Sequence, residues 1–169
     1  MKIAITGPES SGKTTLTEKL AIKYNASSVP EFARNYLLDR NGIYNQQDLD
    51  TIAIGQVNSL EAIQTNFLIC DTEMTVIKIW SEFKYKSCSE TILNLYKQQK
   101  FDHYFLCYPD IPWEEDPLRE NPNDREMLFD IYLNELKKNN LPFTVISGNL
   151  ETRLKTCKEV IERLSLPHL

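Results

Sequence analysis

Residues 7 to 14 read Gly-Pro-Glu-Ser-Ser-Gly-Lys-Thr, with both glycines, the lysine and the hydroxyl in the register G-x-x-x-x-G-K-[ST]. That spacing suits one task. Gly7 and Gly12 let backbone N–H groups curl around the β- and γ-phosphates of a nucleoside triphosphate, Lys13 brings a mobile positive charge, and Thr14 offers an oxygen to Mg²⁺. Glu9, Ser10, Ser11 and Thr15 complete the loop and its exit, and the whole run predicts binding of ATP with Mg²⁺. A glycine-rich turn that binds nothing is the alternative, and the flanks weigh against it. Lys2–Thr6 before the loop is an apolar strand, and Leu16, Leu20, Ala21 and Tyr24 after it recur at helical spacing.

Transfer of a phosphoryl group to a small acceptor needs three further things. These are an acid on the metal side, cations that meet the charge spreading over the transferred oxygens, and a carboxylate that orients the attacking hydroxyl. Asp71 ends the apolar run Phe67-Leu68-Ile69-Cys70, at the strand edge where ligands of open α/β sheets gather, and is the candidate metal- or phosphate-side acid. Asp71 or Thr72 could equally cap the next helix, and both roles can hold together. Glu31 follows a second strand, with Arg34 three residues on; its position faces an acceptor pocket, and a surface ion pair is the plainer account. Residues 109 to 125 hold four prolines and dense charge between a strand and a helix, which reads as a lid, or as disorder. Trp113 and Leu118 give it something to pack, and Arg119 and Arg125 could be carried by it to the γ-phosphoryl. Trp80 and Trp113 could stack on a planar ring, although Trp80 also lies at helical spacing from Ile77 and suits a core. His103 and His168 show no partner pattern and read as structural. The absence of an N-K-x-D motif sets aside a guanine switch, and the length leaves no room for the extra elements of most motors.

The elements that must position these groups come from alternation. Apolar runs at 2–6, 27–31, 67–71, 102–108 and 143–147 alternate with helical patterns. They predict an α/β P-loop NTPase three-layer sandwich, a five-stranded parallel sheet with helices on both faces and the lid at one end. Leu49, Ile52, Ala53, Gln56, Val57 and Leu60 mark one face of a helix over about 47–64, and 74–85 and 89–99 read as helices. Leu128, Ile131, Tyr132 and Leu136 mark another, with Asn123 and Glu126 as an expected capping box, and Leu154, Cys157, Val160, Ile161 and Leu164 mark the last. The turn Gly148-Asn149 suits either a purine or a simple helix start.

At 169 residues one domain, 1–169, is expected. A net charge of −5 argues against general affinity for nucleic acid or an anionic membrane, so phosphate binding must be local. No apolar run approaches the ~20 residues of a membrane span. The first strand starts at residue 2 and leaves no room for a leader, so a cytoplasmic location is expected. The four cysteines lack a C-x-x-C pair and read as reduced core thiols rather than a zinc site.

Four segments in order carry a resemblance: residues 7–16, Val-Pro-Glu-Phe-Ala-Arg at 29–34, Cys-Asp-Thr-Glu at 70–73, and Pro-Asp-Ile-Pro-Trp-Glu-Glu-Asp-Pro-Leu-Arg at 109–119. Together they resemble the ribosylnicotinamide kinase domain of NadR-type NAD-salvage proteins. The resemblance implies phosphorylation of the 5′-hydroxyl of nicotinamide riboside by ATP and Mg²⁺, giving nicotinamide mononucleotide. It implies that Lys13 and Thr14 hold the triphosphate and its metal and that Asp71 lies beside the transfer site. Glu31 would stand near the riboside as a candidate base and Arg34 would hold the acceptor. Arg119 and Arg125 would close on the phosphates, and Trp113, Asp110 and Trp80 would line the riboside pocket. The base remains open between Glu31 and Asp71. Where family members often read Asp-Thr-Asp this chain has Asp71-Thr72-Glu73, and the longer acid is expected to shift a metal or substrate contact. The family's adenylyltransferase domain has no counterpart here, so another protein is expected to carry nicotinamide mononucleotide to NAD. The partner expected is a small nucleoside. Kept beside this reading are a kinase for another nucleoside or small metabolite, and a regulatory ATPase whose lid is ordered for a protein partner; the charged lid weighs against the latter.

Overall fold

The structure, a computed structural model, describes residues 1–166. Its elements follow in the order β1 (Lys2–Thr6), α1 (Lys13–Tyr24), β2 (Ser27–Val29), α2 (Phe32–Leu38), α3 (Gln46–Glu61), β3 (Leu68–Asp71), α4 (Met74–Tyr85), α5 (Glu90–Gln98), β4 (His103–Cys107), α6 (Arg125–Lys138), β5 (Phe143–Ile146) and α7 (Leu150–Ser165). The strands form one parallel sheet in the order β2-β3-β1-β4-β5, as the alternation predicts. β1, β3 and β4 read as unbroken apolar runs because helices cover both of their faces.

Register and pleat then divide the core. Ile3 pairs with Ile69 and His103, and Ala4 with Cys70 and Tyr104, so alternate residues of all three strands share a face. Ala4, Cys70, Tyr104 and Leu106 meet Leu128, Phe129, Tyr132 and Leu136 of α6 and Ile79 of α4. On the other face Ile3, Ile5, Ile69, Phe105 and Cys107 meet Leu16 and Leu20 of α1 and Cys157, Val160 and Ile161 of α7. A third cluster, built on Leu37, Leu49, Ile52, Met74, Ile77 and Ile92, binds α2 to α5 into a block beside the sheet.

Several local expectations are corrected. β2 stops at Val29 rather than residue 31, because Pro30 has no N–H for a ladder and Glu31 already stands at the N-terminal boundary of α2, without a side-chain cap bond. The capping box expected from Asn123 and Glu126 does not form: α6 starts after Asp124 with no side-chain cap. A capping box instead starts α3, between Asn45 and Asp48. Neither Asp71 nor Thr72 caps α4; Glu73 does, accepting from the Thr75 N–H at 2.6 Å. His103 is buried beside Thr144 Oγ1 at 2.9 Å, and burial, with Arg163 nearby, pushes it down to about 4. His168 lies outside the described residues. All four cysteines are free, and no group of three metal-binding side chains occurs among the described residues. No described helix is long and apolar enough to cross a membrane.

Candidate active site

The phosphate loop is held by close contact with its neighbours. Gly7 has φ 133°, and a Cβ there would stand 2.7 Å from the Cys107 carbonyl oxygen, so the chain leaving β1 presses directly on the end of β4. Gly12, at φ 82°, begins α1 without a side-chain cap, which leaves the first N–H groups of that helix to a ligand. Ser11 Oγ and Lys13 Nζ both donate to the Pro8 carbonyl, at 2.7 and 2.8 Å, so the ammonium stays folded over the loop.

Beneath the loop lies a residue that the pattern reading passed over. Arg153 is 2% exposed. It donates to the carbonyls of Ser11 (2.7 Å), Tyr108 (2.8 Å) and Gly148 (2.7 Å) and pairs with Asp110. Asp110 also accepts from the Gly148 N–H and does not line the cavity, so the place implied for it in a riboside pocket is taken by a structural ion pair. The signal was available: Arg153 lies four residues before Cys157 and seven before Val160, a lone cation on the apolar face of α7.

Two carboxylates flank the loop. Asp71 is 3% exposed and its Oδ1 has no hydrogen-bond partner among the described residues. Burial raises its pKa, opposed by the Thr14 hydroxyl and the Lys13 ammonium. A partly unsatisfied carboxylate beside a threonine hydroxyl is an oxygen donor set that fits Mg²⁺, with phosphate and water supplying the other ligands. Glu31 lines the cavity beside the phosphate loop; burial raises its pKa, Lys13 opposes that, and Asp71 adds to it. Glu73, by contrast, is 2% exposed and accepts from Thr6 Oγ1 (2.9 Å), the Thr75 N–H (2.6 Å) and Gln99 Nε2 (2.8 Å). It stands off the cavity wall, so the longer acid serves as a helix cap rather than shifting a metal or substrate contact.

The segment 109–125 crosses this cavity as a strap tied on both sides. On the loop side, Glu9 Oε2 accepts the N–H groups of Glu120 (3.1 Å) and Asn121 (3.0 Å), and Ser10 Oγ accepts that of Glu114 (3.0 Å). Arg119 reaches Ser10 Oγ at 3.4 Å, and Arg125 donates to the carbonyls of Ser10 (3.1 Å) and Ile111 (3.0 Å). On the far side Asp116 pairs with Arg34 at 2.8 Å, while Glu120 takes Lys84 (2.8 Å) and the Tyr44 hydroxyl (2.9 Å). Trp80 donates from Nε1 to that same hydroxyl and forms part of the cavity wall with Leu37, Val76, Ile79 and Phe83. Trp113 does not line the cavity. The guanidinium groups of Arg119 and Arg125 each lie 5.8 Å from its ring centroid, so it packs against the lid's cations rather than on an open pocket. The structure thus brings Gly7, Glu9, Ser10, Ser11, Gly12, Lys13, Thr14, Thr15, Glu31, Arg34, Trp80 and Arg119 to one cavity, with Asp71 buried beside Thr14.

A parallel sheet whose first strand runs into a phosphate loop, with a lid over a carboxylate-lined cavity, defines the class of P-loop nucleotide-binding proteins. Within that class the chain belongs to the AAA domain family, whose profile matches residues 2–153. It is similar to the trifunctional NAD biosynthesis/regulator protein NadR of Salmonella typhimurium, at 28% identity over 173 residues, covering 96% of this chain and 42% of that protein. The NadR protein of Escherichia coli K12 matches at the same identity and coverage. The chain therefore spans 42% of the length of these curated relatives. Among solved structures, a NadR protein in complex with NR has a TM-score of 0.81 at 17% identity, over 99% of this chain and 51% of that one. Deoxyadenosine kinase from M. mycoides with products dCMP and dCDP bound has a TM-score of 0.71 at 17% identity, over 98% of this chain and 100% of that one. The resemblance carried by the four sequence segments is borne out, and so is the fold.

Proposed function

We propose that this protein is a small-molecule kinase that transfers the γ-phosphoryl group of ATP to the 5′-hydroxyl of a nucleoside, nicotinamide riboside foremost. One observation carries the reading: a single cavity holds the phosphate-loop lysine, a buried-side carboxylate, an arginine of the covering strap and an aromatic wall, in Lys13, Glu31, Arg119 and Trp80. Lys13, the free N–H groups of α1 and Arg119 hold the phosphates; Arg125 keeps the strap seated. Thr14 and Asp71 would hold Mg²⁺, which neutralises charge on the phosphate oxygens. Glu31 accepts the proton as the acceptor oxygen bonds to the γ-phosphorus and the bond to the β-phosphate oxygen breaks, releasing ADP. Glu31 is assigned as base over Asp71 because Glu31 faces the cavity while Asp71 stands behind it beside Thr14. Arg34 and the wall around Trp80 orient the acceptor. The choice of nicotinamide riboside rests on the likeness to the two NadR proteins and to the NR-bound structure.

The test is ADP release with ATP and Mg²⁺ against nicotinamide riboside, adenosine, deoxyadenosine, uridine and thymidine, with product masses measured. Nicotinamide riboside is expected to turn over fastest, giving a product heavier by one phosphoryl group. Turnover of another nucleoside alone discards that acceptor and keeps the class. Hydrolysis of ATP with no phosphorylated product overturns the kinase.

A further inference from the structure

Gln56 stands with Leu49, Ile52 and Ala53 on the buried face of α3 and is 2% exposed. A buried primary amide must find partners for its oxygen and its nitrogen, and this one spends both on two turns of the site. Its Oε1 accepts the Phe32 N–H at 2.8 Å, and its Nε2 lies 3.4 Å from the Pro30 carbonyl and 3.3 Å from the Thr72 carbonyl. Glu31 is therefore bracketed, since the residues on either side of it are held by one amide. That amide also holds the residue after Asp71. Cys70 reinforces the second turn by donating from Sγ to the Thr72 carbonyl at 3.0 Å.

Gly55 adds an independent constraint. A Cβ at that position would stand 2.4 Å from the Phe32 ring, so the ring rests directly on the backbone of α3. Gly55 and Gln56 together form a seat for the turn that carries Glu31. Neither residue lines the cavity, and the hydrogen bonds of Gln56 go to Phe32, Pro30, Cys70 and Thr72 rather than to the phosphate loop.

The seat matters because a carboxylate acts on an acceptor hydroxyl only at a narrow range of distance and direction; displacement by an ångström costs on the order of a hundredfold in rate. Glu31 also faces Lys13 from α1, Asp71 from β3, Arg34 from α2, Glu9 from the phosphate loop and Tyr132 from α6, and its charge depends on its distance from each. From this arrangement we infer that Gln56, seated beside Gly55, is a positioning residue that fixes Glu31 relative to Asp71. The inference rests on the reading of Glu31 as base.

Two variants test it. Gln56→Met keeps the bulk and removes every hydrogen bond of the amide, and Gly55→Ala displaces the Phe32 ring while leaving the amide in place. Each is expected to lower kcat about tenfold or more with the KM for ATP within about twofold, because only the acceptor side is disturbed. The acidic limb of the kcat–pH profile moves with it. A carbon-13 titration of the Glu31 carboxyl, assigned with Glu31→Gln, reads position without relying on turnover. Release of the turn hydrates the carboxylate and moves its titration down toward the ordinary range. A fall in thermal stability with kcat, pH profile and Glu31 titration unchanged overturns the inference and leaves the amide merely structural. If Gln56→Met does not fold, Gly55→Ala decides. Should the wild type phosphorylate no nucleoside, the kinase reading fails separately, and the titration alone decides: an unmoved Glu31 in the variants overturns the positioning role.

Discussion

At the scale of single residues, the site concentrates carboxylates where they are costly. Glu31 has its pKa raised chiefly by burial, with Asp71 adding to the effect and Lys13 opposing it. A carboxyl that holds its proton more tightly when folded contributes stability below its ordinary value of 4.5 and loses it as pH rises through the folded value. Glu31→Gln mimics the protonated form. It is therefore expected to raise Tm above that of the wild type at pH 8, with the gap closing as pH falls below about 4.5. Under the proposed function the same substitution removes the base, so kcat is expected to fall by about 10²–10⁴ with ATP affinity little changed. A melting series across pH, set beside steady-state kinetics of the two proteins, checks both halves. Equal Tm at pH 8 would show that the charge on Glu31 is not borne at a cost, and a changed ATP affinity alone would move the residue to the nucleotide side.

Among the elements, the loop from β1 to α1 is held by close backbone contact. Replacing Gly7 by alanine would set a Cβ 2.7 Å from the Cys107 carbonyl in a backbone conformation of φ 133°. A side chain in such a conformation costs about 1–3 kcal/mol, and the obstacle is backbone that cannot swing aside. For a chain of this size Tm should fall by about 2–4 °C per kcal/mol, and titration with an ATP analogue should show the affinity largely lost. Retention of both would mean that the loop has freedom to move off β4. This region also shows what sequence makes legible. The loop, the strands and most helices could be read because the motif is contiguous and the periods are local. Arg153 and Gln56 stand out as single polar residues in apolar stripes, but what each one does is not legible there, since it lies in backbone groups brought near by the fold, as with Ser11 and Arg153. The resemblance implies Trp113 and Asp110 in the riboside pocket because it carries over positions along the lid segment and not side-chain directions. Which way its side chains turn is decided by Arg119, Arg125 and Arg153, and no local pattern encodes those pairings.

For the whole molecule, the strap ties the phosphate loop to the helical block on the opposite side of the cavity. Glu9 holds its backbone at one end, and Arg34, Lys84 and Tyr44 hold Asp116 and Glu120 at the other. The outer ion pairs are partly exposed, with 52% exposure at Arg34, so each adds little stability by itself. What they set is geometry: the cavity is bounded by the phosphate loop on one side and the helical block on the other, and under the proposed function a nucleotide seated on the loop engages the strap through Arg119. Binding should then stabilise the molecule as one body. At a ligand concentration of a hundred times Kd the gain is about 2.7 kcal/mol, which for a chain of this length corresponds to a rise in Tm of about 5–11 °C. A Mg²⁺-bound, non-hydrolysable ATP analogue should produce a single shifted transition of that size. Lys13→Ala should abolish most of the shift while leaving the ligand-free Tm close to that of the wild type, because the ammonium's one hydrogen bond among the described residues is to the Pro8 carbonyl and the service proposed for it is to phosphate charge. A transition that splits on binding, with one part unmoved, would mean that the strap and its helical block melt apart from the loop, and that closing the cavity depends on the acceptor rather than on the nucleotide.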